Sequence, residues 1–187
     1  MNRKFMATEG DVTNLSFHDD FFDGVVCLNT LEHLPSLEKA ISEISRTCRS
    51  GGIVLFDIPS SSILDFSYFF GYYGKSGLIS ALKGLSEKKV MFEWESNDDS
   101  HTRRKVNTYR YKFAFIDDLL KSHGFQIVEK RGVHISTMLI PEKIQANTAS
   151  PTLSKINNNL IKVDNFLNKF SILKNRALYM LYACKKI

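Results

Sequence analysis

The chain has 187 residues, of which 43% are hydrophobic and 12% aromatic, as expected for one globular domain (residues 1–187) with a full core. Its net charge of +5 comes from basic residues scattered along the sequence, so we expect a solvated surface and no nucleic-acid binding. No apolar run is long enough to span a membrane, and the start lacks a signal-peptide core. The cysteines lie far apart in apolar stretches, which favours small buried side chains in a reducing compartment, the cytoplasm, over a disulfide framework or a zinc site: Cys27, Cys48 and Cys184.

The first predicted element is a short strand over residues 4–9, which a turn at Gly10 and Asp11 ends. The carboxylate of Asp11 is expected to point toward the carboxyl edge of the sheet. The alternative is that Asp11 only closes an Asx turn.

Two short apolar runs are typical of strands that are buried on both faces, namely residues 25–28 and the run that Gly51 and Gly52 open. Between them, residues 36–49 place apolar side chains at steps of three and four, which predicts a helix with Gly51 as its stop. Strand, helix and parallel strand form a βαβ unit, and sheets built from such units bind ligands outside the carboxyl ends of their strands. We therefore predict an α/β fold with a Rossmann-like, mostly parallel sheet and helices on both faces.

At the predicted carboxyl edge lies a polar ledge, residues 29–33, with the sequence Asn29, Thr30, Leu31, Glu32 and His33. Glu32 and His33 open the turn where a base or a metal ligand would face a substrate. A structural role in which His33 caps or packs against the helix is equally open. One carboxylate and one imidazole make a poor metal site, so we predict no metal.

After Pro59 the sequence becomes dense in aromatic residues between positions 66 and 73. We delimit an aromatic-rich insertion or lid at residues 62–108, whose aromatic side chains belong either to the core or to a lid over an apolar substrate; contact with a membrane surface is the third reading. Residues 93–105 are expected to form a polar loop around Trp94.

The C-terminal part is predicted to contain a helix, two strands, a loop and a second helix. Residues 113–123 form the first helix, which Gly124 closes, and residues 125–133 form a strand. Residues 141–174 contain a mobile loop up to residue 154 and an amphipathic helix, which we expect to pack on the domain or on a partner. Residues 177–184 form the last strand.

Four blocks of sequence in this order and spacing resemble the later motifs of class I S-adenosylmethionine-dependent methyltransferases, in particular the small-molecule group that includes the ubiquinone-type O-methyltransferases. The blocks are residues 10–17, 22–26, 31–34 and 46–52, followed by Pro59. The resemblance covers residues 5–61 closely and 109–135 loosely.

The resemblance implies a role for each residue near the ledge and an antiparallel last strand. Asp11 would accept a hydrogen bond from the adenine amino group, and Val12 would border the adenine ring. Asn29, Thr30 and Leu31 would hold the methionine or ribose part of S-adenosylmethionine over the strand tips.

The resemblance also implies a glycine-rich turn after a first strand and an acidic residue after a second one, and the chain has neither before Asp11. We therefore expect a truncated form, with an incomplete sheet that lacks its first two strands and with weak or no binding of cofactor by the chain alone. The edge at residues 25–28 would then be open to pairing with a partner or with another copy.

Two functions follow as hypotheses. The first is methyl transfer from S-adenosylmethionine to a small-molecule acceptor of undetermined identity, with His33 as the base and Glu32 as the residue that orients it. The second is a non-catalytic interaction module or pseudo-enzyme subunit, which docks through its open strand edge and its C-terminal helix.

Overall fold

The computed structural model describes residues 7–61, 87–97, 103–133, 135 and 151–187. The described residues form a four-stranded sheet and a separate two-stranded hairpin. The strands of the first sheet lie in the spatial order β1 (Phe22–Cys27), β2 (Cys48–Pro59), β6 (Tyr179–Lys186) and β5 (Phe125–Val133). The hairpin consists of β3 (Lys89–Asn97) and β4 (Arg103–Tyr111).

The predicted βαβ unit is present. Strands β1 and β2 pair in parallel, with Val25 opposite Val54, and helix α1 (Leu37–Thr47) connects them. The predicted stop at Gly51 is wrong, because α1 already ends at Thr47 and Gly51 lies inside β2 with a left-handed φ of 81°. Gly51 therefore meets a backbone requirement of the strand.

The direction of the strands confirms the predicted mixed sheet. Strand β6 runs antiparallel to both of its neighbours, β2 and β5. Strands β1, β2 and β5 therefore share one direction, and the last strand in the chain is the antiparallel one. This arrangement confirms the α/β class and the Rossmann-like sheet.

The core lies on one face of the sheet, under α1 and α2 (Phe113–Ser122). Every second residue of β2 faces it: Val54, Phe56 and Ile58 are buried, and the Phe56 ring stacks on Tyr182 at 5.0 Å. The sequence predicted helices on both faces of the sheet, and α1 and α2 cover one of these faces. On the opposite face, Val26 is 67% exposed.

Strand β1 lies at the edge of the sheet within the described part of the chain, where it pairs with β2 and with no second strand. Its side chains toward α1, Val25 and Cys27, pack against the core. The predicted open edge is thus present among the residues that the structure describes.

Two predictions for irregular or extended segments are wrong. Residues 93–105, expected as a polar loop, belong mostly to β3 and β4, and residues 98–102 lie outside the described ranges. Residues 7–9 do not form the expected strand, while residues 1–6 lie outside. The expected aromatic lid falls mainly on residues 62–86, which also lie outside the described residues.

The C-terminal predictions hold for the regular elements. Helix α2 and strand β5 occupy the predicted positions, and α3 (Pro151–Leu167) is followed by the short α4 (Ser171–Lys174). The predicted loop at 141–154 is wrong for residues 151–154, which begin α3; residues 141–150 lie outside the described ranges. Within the described part of the chain, no helix is both long and apolar enough to cross a membrane.

Candidate cofactor and acceptor site

The polar ledge stands at the carboxyl end of β1 and is attached to β2. Asn29 adopts a left-handed φ of 49°, and its backbone N–H donates to Oδ1 of Asp57 at 2.8 Å. The Thr30 hydroxyl donates to the carbonyl of Leu28 at 2.9 Å. Asp57 was not predicted as a site residue, although a carboxylate inside the apolar run of a buried strand was a signal that could have identified it.

A single turn of 3₁₀ helix, Leu31–His33, places the last three ledge residues. The Leu31 side chain is fully buried in the core, where it anchors the turn. Because the whole residue is buried, a direct contact of Leu31 with a cofactor stays a prediction.

Glu32 is a buried carboxylic acid at this edge. The residue is 4% exposed, and its Oε2 atom has no hydrogen-bond partner among the described residues. Burial raises the pKa of Glu32, the negative charge of Asp57 raises it further, and His33 and a backbone hydrogen bond oppose the rise. The carboxyl group is thus shifted toward its neutral form, in which it donates a hydrogen bond.

His33 is exposed, and its ring is held by the hairpin. Nδ1 of His33 lies 3.1 Å from the carbonyl oxygen of Asn107 on β4. A carbonyl only accepts, so the neutral ring carries its proton on Nδ1 and leaves Nε2 as a proton acceptor. The His33 ring is therefore held by the Asn107 carbonyl, whereas we predicted that Glu32 would orient it.

The β3–β4 hairpin forms a wall beside the ledge. Lys89 donates to the carbonyl of Pro35 at 2.5 Å, and its ammonium lies 4.1 Å from the centre of the Tyr109 ring. On the other side, the N–H of Ser61 donates to the carbonyl of Tyr111 at 3.0 Å. The hairpin is thus hydrogen-bonded to the chain at two points, just after the ledge and just after β2.

Asp11 closes an Asx turn, as in the alternative reading. The backbone N–H and the hydroxyl of Thr13 both donate to Oδ1 of Asp11 at 2.8 Å. These bonds lower the pKa of the exposed Asp11 carboxyl, and the charge of Lys39 contributes. The neighbouring Val12 packs against the core.

A charged network that the sequence did not single out fixes the segment after Asp11. Glu43 accepts from the N–H of Leu15 at 2.9 Å and from Arg46 at 2.8 Å. Arg46 also donates to the carbonyl of Phe17 at 2.8 Å and to Asp19 at 2.8 Å. Both Glu43 and Arg46 belong to α1, so the helix that connects β1 and β2 also holds residues 15–19.

The described ranges contain no group of three or more His, Cys, Asp or Glu side chains that could hold a metal ion. At the ledge, the charges of His33 and Asp57 both act on Glu32.

Comparison with protein families and with proteins of known sequence gives three matches for this chain. Residues 2–56 match a family model described as "Methyltransferase domain". The chain is 25% identical over 174 residues to an uncharacterized protein of Methanocaldococcus jannaschii, and the aligned region covers 92% of this chain and 57% of that protein. It is also 43% identical over 66 residues to the demethylmenaquinone methyltransferase of Desulfitobacterium hafniense. This aligned region covers 35% of this chain and 26% of that protein. The chain therefore spans little more than half the length of the first relative.

Solved structures of other proteins share its fold, among them the following two. One is an S-adenosylmethionine-dependent methyltransferase from Methanosarcina mazei, with a TM-score of 0.51 and 14% identity, over 95% of this chain and 65% of that one. The other, from Listeria monocytogenes, is assigned to the same class of enzymes and has a TM-score of 0.54 and 11% identity, over 96% of this chain and 68% of that one. At these identities the likeness shows the fold.

Proposed function

We propose that the protein transfers a methyl group from S-adenosylmethionine to a small-molecule acceptor. The proposal starts from two findings: residues 2–56 match the methyltransferase-domain family model, and the chain shares its fold with S-adenosylmethionine-dependent methyltransferases. The observation that carries the proposal is the exposed His33 at the carboxyl end of β1, with its ring held by the Asn107 carbonyl. This edge of the sheet is where ligands of open α/β sheets bind.

Methyl transfer is an in-line displacement, for which the protein mainly has to align two molecules and exclude water. S-adenosylmethionine supplies an electrophilic methyl group on a sulfonium. We propose that Nε2 of His33 takes up the proton that the methyl acceptor loses, because Nδ1 is hydrogen-bonded to the carbonyl of Asn107. Glu32, buried and shifted toward its neutral form, would donate a hydrogen bond from the ledge.

The cofactor contacts are proposed for the residues around the ledge. The buried Oε2 of Glu32, without a partner in the described residues, supports a polar ligand at this place. Asp11 would accept from the adenine amino group and Val12 would border the ring. Asn29, Thr30 and Leu31 are the contacts that we propose for the methionine or ribose part.

The acceptor would lie between the ledge and the hairpin, where Tyr109 provides an aromatic surface. A hydroxylated aromatic ring is the first class to test. It fits a histidine base, and one relative is a demethylmenaquinone methyltransferase. We also propose that the protein works in the cytoplasm, since Cys27, Cys48 and Cys184 are free thiols.

Calorimetric titration of the chain with S-adenosylmethionine and with S-adenosylhomocysteine tests the proposal. We expect saturable binding, weakened about tenfold or more in Asp11→Asn, because the asparagine keeps the Asx turn but replaces one acceptor oxygen with a donor. Asp118→Asn, at an exposed carboxylate on α2, is the control. If neither compound binds, or if both variants bind like the parent chain, the proposed cofactor site is wrong.

A second candidate function is a non-catalytic subunit that pairs through β1. It is favoured by the edge position of β1 in the described sheet and by the exposure of Val26. A stable complex with another protein, together with no binding of S-adenosylmethionine, would support this function. Binding of the cofactor by the isolated chain supports the enzyme.

A further inference from the structure

Helix α3 is attached to the rest of the fold by polar side chains. The side-chain oxygen of Asn168, just after the helix, accepts from the N–H of Gly132 at 2.6 Å, and its amide donates back to the Gly132 carbonyl at 2.8 Å. Asp164 accepts from the N–H of Ile135 at 3.2 Å, and Asn165 accepts from Arg131. An amphipathic helix on a globular domain normally turns its apolar side to the core.

The apolar side of α3 points away from the domain. Ile156, Val163 and Phe166 recur at helical spacing, and Phe170, three residues past the end of α3, continues this row with its ring 5.4 Å from that of Phe166. Ile161, which is 56% exposed, lies on another side of the helix. We call this set the outer face: Ile156, Val163, Phe166 and Phe170. Phe166 is 56% exposed, and exposed apolar side chains that adjoin one another are typical of an interaction surface.

A row of lysines runs along the outer face. Lys155, Lys162 and Lys169 are exposed, and each precedes an outer-face residue by one position. The Lys169 ammonium lies 5.8 Å from the centre of the Phe166 ring. Apolar side chains next to a basic row on an outward-facing helix are the pattern of helices that lie in the interface of a membrane.

We propose that the outer face binds an anionic lipid surface, with α3 lying flat in the headgroup region. The basic row complements anionic headgroups, while the outer-face side chains enter the acyl boundary. A coiled-coil partner is less well supported, because α3 has 17 residues and a stable coiled coil needs three or more heptads. This binding does not depend on methyl transfer, so it can be tested separately.

Flotation of the full chain with phosphatidylcholine vesicles, with and without phosphatidylglycerol, tests the proposal. We expect the chain to float with the anionic vesicles and to remain behind with the neutral ones. Raising the salt concentration should weaken the binding, because salt screens exposed charges.

Two variants make the test specific. Each lysine near an anionic surface contributes about 1 kcal/mol, or roughly fivefold in affinity, so Lys155→Gln combined with Lys162→Gln should weaken binding about 25-fold. Lys121→Gln combined with Lys185→Gln removes the same charge from exposed positions outside α3 and is the control. Phe166→Ser should also weaken binding, without loss of the folded state, since the side chain is largely exposed.

The proposal is overturned if neutral vesicles bind as well as anionic ones, or if the two lysine pairs have equal effects. It is also overturned if the chain does not float with any vesicle but sediments as a dimer that Phe166→Ser dissociates, because the outer face would then bind a second copy. Retained flotation in a chain that binds no S-adenosylmethionine would leave this inference intact and remove the proposed methyl transfer.

Discussion

The imidazole of His33 and the carbonyl of Asn107 are 3.1 Å apart, although 74 residues separate them in the chain. This contact joins the end of β1 to the hairpin. The ring that we propose as the base is thus held by the β3–β4 hairpin, part of which, residues 93–105, was predicted as a polar loop. The state of the His33 ring therefore depends on how the hairpin folds.

The first prediction concerns the proton of His33. In its neutral form the ring should carry the proton on Nδ1, because the Asn107 carbonyl can only accept. Nitrogen-15 chemical shifts of the ring, assigned by comparison with His33→Gln, measure this directly. The preference should vanish in urea, which removes the hairpin contact; a folded chain with the proton on Nε2 would contradict the role of His33 as a base.

The second prediction concerns Glu32 and pH. Because its pKa is raised above the ordinary value of 4.5, the folded state binds a proton more tightly than the unfolded state. The stability that this group contributes is therefore present at low pH and is lost as the pH rises above 4.5 and through the folded-state pKa. Glu32→Gln should remove that loss. The free energy of unfolding of the variant, relative to that of the parent chain, should therefore be higher at pH 8 than at pH 5.

Urea unfolding at the two pH values measures the effect of Glu32→Gln. Glu129→Gln, at an exposed glutamate on β5, is the matched control and should show no such difference. A Glu32→Gln variant that destabilises the chain more at pH 8 than at pH 5 would mean that the folded state requires the charged carboxylate.

The third prediction concerns the parallel pairing of β1 and β2. A β-carbon at Gly52 would lie 2.7 Å from Sγ of Cys48 and 2.9 Å from the carbonyl oxygen of Asp23, so Gly52→Ala must displace the backbone of β1. We expect a loss of about 2 kcal/mol in the free energy of unfolding, or roughly 4–8 °C in Tm. Gly10→Ala, where nothing lies within 4 Å of the added carbon, should leave Tm nearly unchanged. Equal melting of both variants would show that the two strands have room to separate.

The fourth prediction concerns the Glu43–Arg46 network. Glu43→Gln should cost about 1–2 kcal/mol at neutral pH, since it weakens hydrogen bonds to the charged carboxylate of a side chain that is only 19% exposed. Hydrogen bonds from Arg46 and Leu15 lower the pKa of Glu43 from 4.5 to about 2. Its contribution is therefore complete above pH 4.5 and is lost as the pH falls toward 2.

Thermal unfolding between pH 3 and pH 7, with Glu38→Gln on the exposed side of α1 as the control, measures this contribution. The difference between Glu43→Gln and the parent chain should shrink on acidification, while the control should follow the parent chain. A constant difference across this range would show that the network acts through shape rather than through charge.

The predicted polar loop fails because the partners of its residues lie in another strand. Residues 93–105 are polar, yet Glu93 pairs with Asn107 across the hairpin and its carboxylate contacts Lys105 at 2.9 Å. Cross-strand pairing, which no local pattern reveals, stabilises these strands. Asp57 was missed for a related reason, because it accepts a hydrogen bond from the N–H of Asn29, which lies 28 residues earlier in the ledge after β1.

The sequence by itself determined the βαβ unit, the helix α2 with its strand β5, and the motifs that resemble the methyltransferases, because hydrophobic periodicity and short motifs are properties of neighbouring residues. Only the tertiary structure decided which group holds His33 and which side of α3 faces outward. The apolar stripe of α3 has the same spacing whether it is buried or exposed. Its direction was set by the polar contacts of Asp164, Asn165 and Asn168 with the end of β5 and the residues after it, and these contacts exist only in the folded chain.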